Sequence, residues 1–211
     1  MQWIDLVTPV SVAIAAASFV SGVSAWKREF VGKRRIELAQ SVLALFYEAQ
    51  DAVAMIRNPI SYVGEGKSRE HAAAELPEET EALDQAYVAF ERYHKREQLF
   101  AQLQSMRYQF MAAFGTDAAE PFNELTSAVN QILIAARALG TRYWPDKRRR
   151  PMSEEQFKMH LEQERKYESI FWSHEENDEI AQAVRGAIAK VEAIAKREVD
   201  VVQRRPMFAR R

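Results

Sequence analysis

The chain has 211 residues, with 29 Lys and Arg against 30 Asp and Glu, a formal net charge of -1 and no cysteine. Disulfides, thiolate nucleophiles and cysteine-ligated metal centres are therefore excluded, and 47% apolar with 28% charged residues exclude wholesale disorder. Seven glycines disfavour an all-β fold, whose turns consume them, and leave little for glycine-rich nucleotide loops.

The first predicted element is residues 6–26, LVTPVSVAIAAASFVSGVSAW, 21 residues without a charge. As a helix it would be about 31 Å long, close to the roughly 30 Å hydrocarbon layer of a bilayer. Eight of its residues are Leu, Ile, Val or Phe, together contributing about -2.4 to -4.8 kcal/mol to insertion. The serines, Thr8, Pro9 and Gly22 work against that gain. Lys27, Arg28, Lys33, Arg34 and Arg35 follow at once, against Glu29 alone, whereas only Asp5 precedes. Basic residues are retained on the cytoplasmic side, so the expectation is a transmembrane helix with residues 1–5 outside and 27–203 inside. The lack of Lys or Arg in Met1–Asp5 argues against a cleaved signal peptide. Ala13, Ala17, Ser21 and Ala25 recur every fourth residue, a small face through which such an anchor could pack as a homo-oligomer.

Helical periodicity governs the remainder. Leu38, Val42, Leu45, Phe46, Ala49, Val53 and Ile56 mark one face of a helix following Gly32, which Asn58-Pro59 ends, because a residue before proline is driven from the α region. Pro77 with Glu78 and Glu79 opens a helix predicted to run to Phe114, capped by Gly115. Phe122, Leu125, Val129, Ile132, Leu133, Ala136, Leu139 and Tyr143 form the next face, starting at Thr116 or Asp117. Ser153-Glu-Glu-Gln156 has the pattern of a capping box and begins a helix to Trp172. Ile180, Val184, Ala187, Ile188, Val191, Ile194 and Val202 define a last one, 175–203. Whether 153–172 and 175–203 form one helix or a hairpin is left open. The fold class expected is all-α: an N-terminal transmembrane helix, then an antiparallel, coiled-coil-like bundle of four to five helices.

Charge is uneven. The run at 27–35, Arg142 with Lys147–Arg150, and a tail at 204–211 with Arg204, Arg205, Arg210 and Arg211 hold 14 basic residues against Glu29 and Asp146. Their local sum is +12, leaving -13 for the rest. Lys27, Arg28, Lys33, Arg34, Arg35 and the four tail arginines are the candidate membrane-surface contacts, with Met207 and Phe208 interleaved in the tail.

Sites for chemistry fail on context. Gly64-Glu65-Gly66-Lys67-Ser68 suggests a phosphate loop, but a Walker motif needs glycine where Ser61 stands and a preceding strand. Glu91-x-x-His94 has the spacing of a di-iron ligand pair without a second pair. His174-Glu175-Glu176-Asn177-Asp178 begins like a zinc-protease motif and ends in Asp instead of the second His. No catalytic, cofactor or metal residue is assigned. The sequence reading is a single-pass protein of the plasma (inner) membrane, working through contacts with an unidentified protein partner as scaffold, adaptor or sensor accessory. Its alternative is a soluble helical protein binding nucleic acid through residues 142–150 and 204–211.

Overall fold

The computed structural model describes residues 4–145, 152–174 and 177–203, with backbone alone at 4–17, 20, 24, 25, 202 and 203, and the described residues form six α-helices. They are α1 (Ile4–Ile56), α2 (Pro77–His94), α3 (Glu97–Phe114), α4 (Glu120–Ala138), α5 (Glu154–Phe171) and α6 (Glu179–Gln203). A 3₁₀ turn, Thr116–Ala119, precedes α4, and a π-helical turn, Leu139–Tyr143, extends it. No strand occurs among the described residues, so the all-α class holds.

A transmembrane helix over 6–26 is not supported: among the described residues no helix is long and apolar enough to cross a membrane. Side chains are described from Ser18 onward, nine residues before Lys27. The rest of the expected span, with Ala13 and Ala17 of its packing face, lies outside the described side chains.

Two boundaries differ from the periodicity reading. α1 is one helix of 53 residues with no break at Gly32; glycine costs a helix interior about 1 kcal/mol relative to alanine, too little to stop it alone. The expected helix Pro77–Phe114 is two, interrupted at Lys95-Arg96. The question left open for the last two segments resolves into two helices: α5 ends at Phe171 and α6 starts at Glu179, with Asn177 at φ 54° between them. Ser153 does cap α5, its Oγ accepting from Gln156 N at 3.2 Å while the Gln156 side chain accepts from Ser153 N at 3.1 Å.

Two compact units emerge: the described residues up to Ser41 with those from Ile194, and Val42–Ala193. In the first, Arg35 Nη2 donates to Glu198 Oε1 at 2.9 Å, joining α1 to α6. In the second, Val42, Phe46, Ala49, Val53 and Ile56 of α1 are buried, with Phe122, Leu125, Ile132 and Ala136 of α4 and Ile180, Val184 and Val191 of α6. Phe122 meets Phe46 edge-on at 5.0 Å and Phe110 at 5.6 Å, tying α1, α3 and α4 into one aromatic centre. Full burial of such side chains stabilises by about 1.5–3 kcal/mol each. α4 also packs on α2 and α5. α2 approaches the π-helical turn so closely that a Cβ at Gly140 would lie 2.5 Å from that of Ala86.

Candidate functional site

Phe19, Trp26 and Phe30 of α1 are separated by seven and four residues, spacings that place them on one stripe of a helix. All three are more than half exposed, as is Val31. The Trp26 and Phe30 rings stack at 5.9 Å and 27°. Two residues beyond Phe30, Gly32 falls on the opposite side of the helix and is buried, as is Ala39 one heptad later. Lys27, Lys33 and Arg34 flank the aromatic stripe and are exposed, and Arg28 is exposed as well. Of the five basic residues at 27–35 among those predicted to meet a membrane surface, Arg35 is turned aside to the buried Glu198, while Lys33, still exposed, lies 3.9 Å from Glu37. Ser21 is exposed, its hydroxyl donating to the Ser18 carbonyl oxygen. The side chain of Ala25 lies outside the described residues, as do Arg204, Arg205, Arg210 and Arg211.

The loop from Asn58 to Leu76 shows what the GEGKS run does. Gly66 N donates to Glu91 Oε2 at 2.8 Å and Ser68 Oγ donates to the same oxygen at 3.1 Å. The anion this turn holds is thus the protein's own carboxylate, kept below the usual range first by Lys95 and then by the Gly66 amide. The next residue on α2, the buried Arg92, donates to Glu65 at 3.1 and 2.6 Å and to the carbonyls of Met55, Asn58 and Ile60. It thereby satisfies acceptors at the end of α1 and in the following loop. Arg69 closes the loop's far half, pairing with Glu75 at 2.7 Å and Asp84 at 3.0 Å. The Glu75 carboxyl drops to about 2, chiefly through its hydrogen bond from Arg69.

Other candidates have structural explanations. Glu91 is engaged as above and His94 Nδ1 sits 2.7 Å from the Phe90 carbonyl oxygen, within its own helix. Among the described residues no group of three His, Asp or Glu could hold a metal ion. Of the zinc-like run, Asp178 accepts from Ala181 N at 2.9 Å and from His174 N at 3.1 Å, capping α6; Glu175 and Glu176 lie outside the described residues. Arg142 is exposed, its guanidinium 5.8 Å from the Tyr143 ring centre, and 146–151 is not described.

Sequence reasoning missed the buried Arg57. Its Nη1 reaches both Asp178 oxygens at 2.7 and 2.8 Å, while Nε and Nη2 donate to the carbonyls of Ile170, Ser169 and Trp172. The only sequence cue was position: the arginine sits directly after an apolar face that ends at Ile56.

With this geometry in view, comparison with known proteins adds no relative: no family model matches the chain, and no curated protein or solved structure is detectably similar to it.

Proposed function

We propose that this protein is a membrane-anchored helical protein that acts by protein contacts, attached through residues 6–26 as a single pass, with its N-terminus outside and the following helices on the cytoplasmic side. The observation that carries the reading is the exposed stripe Phe19, Trp26 and Phe30, flanked by Lys27, Lys33 and Arg34. Aromatic rings beside Lys and Arg favour the headgroup region, where the rings leave water and the cations meet lipid phosphates. The 21 uncharged residues ending at Trp26, with basic residues on one side only, supply length and orientation. An anchor would confine the helical body to the membrane surface and raise its effective concentration for partners there.

Carbonate extraction of membranes from cells making the full chain, beside a chain starting at Lys27, tests the reading. The full chain should stay in the pellet and the shorter one should be released. Release of the full chain would sink the proposal. Gel retardation of nucleic acid with a steep salt dependence would then favour the alternative.

A further inference from the structure

A cleft of about 490 Å³ opens in the second unit where the first turns of α2, the end of the π-helical turn and the last turn of α5 meet. That volume lies within the roughly 300–1,000 Å³ of small-molecule sites. Glu78 and Glu81 come from α2, Glu168 from α5, and Trp144 and Trp172 from the residues just after the π-helical turn and α5; among the described residues no Lys or Arg lines the cleft. Acids in a first helical turn complement that helix's dipole and by themselves define no site. What distinguishes this cleft is its pair of indole walls and the way they are held. Phe171, only 1% exposed, meets Trp144 edge-on at 5.5 Å and Trp172 edge-on at 4.2 Å. Trp144 Nε1 donates to Glu168 Oε1 at 3.1 Å, which fixes that ring about its own axis. Both indoles remain half-buried, so the packing that orients them does not close them off.

An indole face carries negative potential and attracts cations. Carboxylates with no counter-cation among the described lining residues attract the same sign. Two chemically independent features therefore select one charge. A metal ion does not suit the cleft, because indoles offer no lone pair and no three-acid group able to hold a metal occurs among the described residues. We infer that this cleft binds an organic ammonium group, carried either by a small free amine or by a lysine side chain of a partner protein.

The full chain labelled at its indole nitrogens, titrated with choline and watched by NMR, tests this without any variant. Choline should shift the Trp144 and Trp172 signals saturably and leave Trp3 and Trp26 in place, assignments being made with W144F and W172F. The neutral isostere 3,3-dimethyl-1-butanol should leave all four signals in place. Equal responses to choline and the alcohol, or no response of Trp144 and Trp172 to choline, would overturn the proposal. N-acetyl-lysine-methylamide distinguishes the sources: binding tighter than choline identifies a lysine side chain, weaker binding a free amine. The exposed pair E78Q/E81Q should weaken binding about threefold to tenfold, the effect shrinking at high salt; unchanged affinity would remove the acids from the site.

Discussion

Arg57 and Asp178 stand 121 positions apart and form a buried two-oxygen ion pair, with side chains 2% and 5% exposed. The same guanidinium satisfies three carbonyls around the end of α5, and the same carboxylate caps the start of α6. One contact thereby fixes the end of α1, the end of α5 and the start of α6. Removing one partner leaves a buried charge unpaired, which costs about 3–5 kcal/mol. R57M should lose that much in chemical denaturation, and D178N less, because an amide oxygen still accepts. The paired replacement R57M/D178L should recover only part of the loss, since the three carbonyls stay without their donor. A cost below about 1 kcal/mol for R57M would contradict the assignment, being no more than one ordinary hydrogen bond.

Lys190 offers the opposite case. It joins α6 to Glu120 and Glu124 of α4, at 2.6 Å for Glu120 and 2.5 Å for Glu124, and those carboxylates raise its pKa. All three groups are more than a third exposed, so solvent and salt screen them. K190M should leave the denaturation midpoint where it was, at low and at high salt. A large loss would mean that the short distances outweigh screening.

The apolar faces were legible because burial follows the helical period: Val42, Phe46, Ala49, Val53 and Ile56 are all buried, as are Phe122, Leu125, Val129 and Ile132. The Ser153 cap was legible because both its hydrogen bonds are local. Other features had no local sign. Lys95-Arg96 contains good helix formers, and the interruption there lies next to Arg92, whose partners sit in a loop some thirty residues earlier in the chain. Arg57 reads as a surface residue until Asp178 and the α5 carbonyls surround it. Phe171 is core as its aromatic neighbourhood implies, while the half-buried setting of Trp144 and Trp172 depends on how α2 and α5 meet.

Acid should unfold the second unit in a defined window. Asp178 feels burial, which raises its pKa, yet Arg57 and the amides of Ala181 and His174 outweigh it and the carboxyl ends below its usual value. Glu65 is lowered by Arg92, Glu91 by Lys95 and Gly66, and Glu75 to about 2 by Arg69. A carboxyl lowered by folding stabilises the fold fully above its unfolded pKa, about 4. That contribution fades as pH falls through the folded pKa. The unfolding free energy should therefore be level from about pH 7 to 5 and fall steadily from about 5 towards 2. R69M should flatten the lowest part of that fall, where Glu75 titrates. A curve with no slope between about pH 5 and 3 would show that these pairs do not survive in solution.

Gly64 and Gly66 report how the loop after α1 is held against α2. Both have positive φ, +95° and +82°, so alanine strains the backbone at either position. They differ in space: a Cβ at Gly64 meets nothing within 4 Å, whereas one at Gly66 would lie 2.0 Å from the Asp84 backbone oxygen. Backbone of a packed helix cannot rotate away as a side-chain tip can. G64A should cost about 1 kcal/mol, the ordinary penalty for a left-handed alanine. G66A should cost at least about 2 kcal/mol more, because the Gly66 amide must also leave Glu91. Thermal unfolding of the two variants side by side reads the difference. Equal losses would mean that the loop does not rest on α2, and that Glu91 is free to hold a different partner.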